Sequence, residues 1–202
     1  MPAFYEMHLD IDYIEKQEKK GKPFICSEKD NVDDIEIEGY KKGFFCYSIY
    51  EGKLNFKWPE INLYYRSELS ERECDFLYNI CDWPVLHKRV MNALIGNNIK
   101  GIDFYPVNLI DMTTGNVNHD YYVIHVKNVI DAYDMKRSNY IYIEKDNSYV
   151  FLPRQTFLNP DVCEGYDFFR EVKFFPPMYV SERVKNIIEE NGFTGFGFIC
   201  MV

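Results

Sequence analysis

The residues that could do chemistry in this chain are few and widely spaced. Four histidines, His8, His87, His119 and His125, are the natural starting points for a metal centre or for proton transfer. His8, Asp10 and Asp12 form a His-x-Asp-x-Asp pattern, which on an extended strand places three ligand types on one face. Same-face neighbours on a strand lie about 6–7 Å apart, too far for one ion without ligands from other elements. A solvated strand face is therefore expected there, and no metal site. His119 and Asp120 fall in a polar stretch that reads as a turn. His125 alternates with Val123 and Lys127 as in a strand, and His87 immediately precedes a helix. Cys163 has no neighbouring base or cation to make it a thiolate. Nucleophile-elbow, phosphate-loop, dinucleotide and His-Glu-x-x-His patterns are all missing. No catalytic residue, metal or cofactor is expected.

Arg89 and Arg183 are more informative. Each occupies the first turn of a predicted helix, where the positive end of the helix dipole disfavours a cation. An internal carboxylate partner for each is the expectation; the alternative is a pair of arginines gripping a phosphate or acidic ligand. The two belong to segments that align without a gap at an offset of 94, residues 83–104 and 177–198. Arg89, Val90, Asn92, Asn97, Gly101 and Phe104 match Arg183, Val184, Asn186, Asn191, Gly195 and Phe198. In the second segment Ser181 is a good N-cap, Val184, Ile187 and Ile188 recur at helical spacing, and Asn191-Gly192 is a stop signal. Phe196 and Phe198 then alternate as in a strand. Two related helix-turn-strand units are predicted, with Val90, Leu94, Val184 and Ile188 buried and His87 standing in for Ser181 as a cap.

Along the rest of the chain, residues 4–13 alternate apolar and polar and predict one half-buried strand, followed by a charged loop over 16–22. Residues 44–50 and 54–58 predict a hairpin. Ser70 and Glu73 predict a capping box ahead of a helix bearing Cys74, Leu77, Tyr78 and Cys81, ended by Pro84. Residues 111–120 predict a polar loop, 121–134 begin as a strand and turn towards a helix or loop at Asp131, and further strands follow over 140–143, 149–152 and 168–175. The sum is an α+β fold, short helices packed on largely antiparallel strands. One domain is expected over 1–202, with two pseudo-related halves at about 1–110 and 121–202.

Bulk numbers narrow the function classes. Of 202 residues, 17% are aromatic, which favours a strand-rich core. The net charge of −9 argues against a nucleic-acid or anionic-membrane surface. Residues 1–38 hold eleven of the acids against five lysines, so the acidity is concentrated at one end. The opening residues lack a signal-peptide pattern and no apolar run approaches membrane-spanning length, which predicts a cytoplasmic protein. Six dispersed cysteines predict thiols rather than disulfides.

The stretch 121–140, with Val129 to Ala132 and Arg137-Ser138, together with Tyr179 to Val184 and Gly192 to Gly195, resembles a bacterial family of immunity proteins from polymorphic-toxin systems. That resemblance lies mainly within 121–199. It implies a non-enzymatic protein that binds and occludes a cognate toxin domain. Glu28, Asp30, Asp33, Asp34, Glu36 and Glu38, beside Tyr47 and Tyr50, are the expected rim and anchors of a surface for a basic partner. The alternative is a small enzyme or anion-binding protein using His8, Asp10 and Asp12 with Arg89 and Arg183. A third possibility is an oligomeric module whose two units pair across a two-fold.

Overall fold

A computed structural model describes residues 3–21, 24–38, 45–69, 73–152, 155–174 and 177–201. In chain order the first elements are β1 (Phe4–Leu9), α1 (Ile11–Glu18), β2 (Cys26–Ser27), β3 (Lys29–Asp30), β4 (Asn62–Tyr65), β5 (Phe76–Asn79), β6 (Val85–His87) and α2 (Lys88–Gly96). Then come β7 (Ile102–Asp111), β8 (Val117–Val126), β9 (Val129–Ile130), β10 (Tyr140–Ile143), β11 (Ser148–Phe151) and α3 (Pro160–Cys163). The chain closes with β12 (Phe168–Glu171), β13 (Met178–Ser181), α4 (Glu182–Glu190) and β14 (Phe196–Cys200). Short helices on mixed but mostly antiparallel strands make this an α+β fold.

One sheet runs β14-β1-β13-β12-β9 and the other β2-β5-β6-β8-β7-β4-β3. The end strands of the second, β2 and β3, are separated by Glu28 alone, whose N–H donates to the Tyr64 carbonyl. Residues 26–30 therefore pair with β5 on one side and β4 on the other, closing that sheet on itself and leaving few free edges. Leu63, Leu77, Trp83, Val85, Leu109, Tyr121 and Val123 fill the closed sheet.

The two sheets share one local order. In both, an antiparallel strand (β8 or β1) lies between the two strands joined by a helix, β6-α2-β7 and β13-α4-β14. A further antiparallel strand follows, β5 or β12, then a short parallel one, β2 or β9. Element for element, 85–102 and 179–196 coincide at the offset of 94. Val90, Leu94, Val184 and Ile188 are all essentially inaccessible, and α2 packs against α4 within one core that draws on both sheets. His87 does cap α2, accepting the Arg89 N–H at 3.3 Å, as Ser181 accepts that of Val184 at 3.4 Å.

Gly101 and Gly195 take the same left-handed backbone, φ +84° and +88°, each against the other unit. A Cβ at 195 would lie 2.9 Å from the Phe76 carbonyl oxygen of β5, and one at 101 would run into the Asn128 side chain beside Phe168 of β12. Both strain and crowding oppose a side chain there. Gly195→Ala is expected to destabilise by more than about 1 kcal/mol, measured by urea unfolding. Gly115→Ala, left-handed but with open space around it, should cost less.

Several local predictions are corrected. The alternation over 4–13 is a strand only to Leu9. The Asp10 side chain then accepts the Tyr13 N–H at 2.9 Å and caps α1, so the loop expected from Lys16 starts inside a helix. The helix expected over 74–81 is strand β5, flanked by β2 and β6, with Phe76 and Leu77 facing two different cores. Non-local pairing overrides the helical spacing of so short an apolar run; Ser70 lies outside the described residues. The hairpin is not formed either: Phe45–Tyr50 is a 3-10 helix whose Phe45 sits among Phe56, Trp58 and Trp83, and no strand runs over 54–58. Phe44 is outside the described residues. The polar loop shortens to 112–116, because the Asp111 carboxylate gathers the N–H groups of Ser67 and Thr113 and the Thr114 hydroxyl. His119 and Asp120 belong to β8. Strand β12 stops at Glu171, whose buried carboxylate accepts the N–H groups of Ala132, Tyr133 and Lys173; Phe175 lies outside the described residues.

Candidate partner-binding surface

The segment 24–38 closes the seven-stranded sheet and then runs over its end as a 3-10 turn, Val32–Asp34. Apolar and acidic residues alternate along it. Val32 is buried and Ile35 and Ile37 pack on the closed-sheet core, which turns Asp33, Asp34, Glu36 and Glu38 into solvent. Tyr47 is 60% exposed on the adjoining 3-10 helix, which packs against Val32–Asp34. Four carboxylates and one exposed ring thus share a rigidly backed region.

Asp30 is engaged internally, Glu28 stays exposed in a surface ion pair, and one tyrosine lies elsewhere. Asp30 accepts the Val32 N–H at 2.7 Å and the Cys81 thiol at 3.2 Å, and so serves the fold. Glu28 stands 3.8 Å from Arg66. Tyr50 turns inward beneath the Arg170 guanidinium, 4.8 Å from the ring centre. Sequence reasoning missed Tyr78 and Ile80, both exposed, at the end of β5. Cys26 of β2 faces Tyr78, so these two residues adjoin the acidic segment. The helix predicted over 74–81 hid them.

The other candidates do not converge. His8 lies on β1 with its ring over Gly197, whereas Asp10 caps α1 and Asp12 is exposed in its first turn. Arg89 ion-pairs with the buried Asp75, whose carboxylate also accepts the Thr194 N–H at 2.8 Å and hydroxyl at 3.1 Å. Arg183 lies 3.5 Å from Asp167 and donates to the Asn97 carbonyl. Asp75 and Asp167 are themselves equivalent: their carbonyls accept the N–H groups of the caps His87 and Ser181. Each arginine thus meets a carboxylate of its own unit and reaches the turn of the other, or its carboxylate does. Among the described residues no group of three or more His, Cys, Asp or Glu could hold a metal ion.

A cleft of about 380 Å³ lies between the two sheets, bounded by Glu6 and His8 of β1, Phe76 and Tyr78 of β5, Tyr50 and Arg170. Burial lifts the Glu6 carboxyl above its ordinary range, partly offset by His8. It lowers Arg170 to about 10. Asp10, Asp12, Arg89 and Arg183 do not line this cleft. Burial, with Glu171 near, pushes the Cys163 thiol up to about 12, the opposite of an activated nucleophile.

His125 is a fold histidine with a pH consequence. It is buried, and its Nε2 lies 2.6 Å from the Glu51 carbonyl. Burial, aided by the charges of Arg170 and Lys127, lowers its pKa against the pull of the Glu51 carbonyl and Asp103. The folded state then binds a proton less readily than the unfolded chain, so stability falls as pH drops through the unfolded value of about 6.5. Urea unfolding at pH 7 and pH 5.5 should show a loss that His125→Gln reduces; an equal loss in both proteins would contradict this role.

The chain belongs to the immunity protein family (Imm11), whose model matches residues 7–202. The match reaches well beyond the 121–199 stretch that carried the sequence resemblance, so the N-terminal part shares the family pattern too. No curated protein matches the chain. No helix among the described residues is long and apolar enough to cross a membrane.

Proposed function

We propose that this chain confers immunity by binding a cognate toxin domain in a stoichiometric cytoplasmic complex, without chemistry of its own. The observation that carries this reading is the family match across residues 7–202. The contact is assigned to the acidic face: Asp33, Asp34, Glu36 and Glu38 as rim, Tyr47 as anchor, Tyr78 and Ile80 alongside. Asp30 holds that face in place, and the exposed Glu28 beside Arg66 extends its rim. Its partner is a basic protein surface, and neither nucleic acid nor membrane fits a chain of net charge −9. The similar order of the two sheets is what an ancestral duplication would leave, giving one domain of two related halves in which β1 joins the second sheet.

The test is to identify, among the neighbouring genes, a large secreted protein with a variable C-terminal domain and to co-express that domain with this chain. Growth should be restored, and the two proteins should co-elute in one-to-one ratio. Persistent growth arrest in the presence of soluble, folded chain would refute the assignment. Protection without a complex would point to chemistry instead of occlusion.

A further inference from the structure

The hairpin β10–β11 stands apart from both main sheets, and among the described residues neither strand pairs with another. Its tyrosine face, Tyr140, Tyr142, Tyr149 and Phe151, is anchored at Phe151, which packs on Tyr133 and Phe174. The opposite face presents Ile141 (58% exposed), Ile143 and Val150 (42% exposed) to solvent. A lone two-stranded ribbon is marginal in water. Natural edge strands are normally blunted by charge, proline or a bulge. The four residues of β10, Tyr-Ile-Tyr-Ile, carry no charge and no proline.

The backbone says what would complete this edge. The Leu152 N–H donates to the Asn139 carbonyl, so residues 139, 141 and 143 turn their polar groups towards β11. The N–H and C=O of Tyr140 and Tyr142 therefore point away from the ribbon. Antiparallel pairing with an identical strand, two-fold axis at Ile141, sets Tyr140 against Tyr142 of the other copy and satisfies all four groups on each side. Ile141 then faces its own mate as a close pair. The same register brings the turn bearing Glu144 and Asp146, along with Lys145, near the base bearing Lys136 and Arg137, a net negative end against a positive one.

We infer that β10 is a self-association edge: two copies of this chain pair through it into a four-stranded sheet about a two-fold at Ile141. This goes beyond the immunity reading and does not depend on it.

Sedimentation velocity of the full chain over a wide concentration range should show a monomer–dimer equilibrium. Ile141→Lys places two ammonium groups on the axis and should weaken dimerisation at least about tenfold, while Ile95→Lys, at an exposed apolar position on α2, should leave it unchanged. Ile141→Cys supplies a second measurement. Close antiparallel pairs have Cα atoms about 4.5 Å apart, within disulfide reach, so mild oxidation should trap a covalent dimer. Ile143→Cys should not be trapped, because it faces Asn139 of the other copy and lies roughly 13 Å from its mate. A chain that stays monomeric at the highest concentration, or crosslinks equally at both positions, would overturn the proposal. So would a monomer whose Ile141→Lys variant loses only toxin protection, which would assign the edge to the toxin.

Discussion

Ile188→Ala is expected to lower the unfolding free energy by about 2–5 kcal/mol. Ile188 is 1% exposed on α4 and shares one core with Val90 and Leu94 of α2 and with Phe76, Phe168 and Val180 from both sheets. Close packing from two helices and two sheets leaves little freedom to collapse onto the cavity, which places the cost in the upper part of the range. Leu94→Ala, at the position equivalent to Ile188, should cost a similar amount. Because both side chains line one core, the double variant should depart from the sum of the singles by about 0.5 kcal/mol or more. Urea unfolding with a common m-value measures this. Strict additivity would mean that the helices are stabilised separately, each by its own sheet. Ile95→Ala, on the exposed face of α2, is the control and should stay within about 0.5 kcal/mol.

Neutralising Asp33, Asp34, Glu36 and Glu38 together to Asn or Gln is expected to slow toxin association tenfold or more at low salt and to flatten its salt dependence. The four side chains are exposed while their neighbours Val32, Ile35 and Ile37 hold the segment on the core, so the variant should fold as before. Exposed charges act chiefly on encounter, through long-range attraction that salt screens. The dissociation rate should depend instead on Tyr47, whose truncation removes an anchor. Stopped-flow association at several salt concentrations separates the two effects. An unaltered rate with unaltered protection would move the interface to another face, the two helix-turn-strand units being the next candidates.

What the amino-acid sequence determined by itself was local and repeated. Caps at His87 and Ser181, the matching Asn97 and Asn191, glycines at 101 and 195 and matching apolar spacing define both units, because those features act within a few residues of chain. The two arginines placed against the helix dipole correctly demanded carboxylates, although nothing in the spacing named Asp75 or Asp167. The tertiary structure decided what depends on distant partners. Whether 74–81 is helix or strand turned on β2 and β6 waiting on either side, and whether 44–58 is a hairpin turned on an aromatic cluster centred on Phe45. It also divided the acidic segment. Asp30 is drawn inward by Val32 and Cys81 and Tyr50 is taken by Arg170, whereas Glu28, Asp33, Asp34, Glu36, Glu38 and Tyr47 stay outward. A charge run read from sequence records composition. Which of its carboxylates meet solvent depends on the side the core takes up, and that is settled only when the sheet closes through residues 26–30.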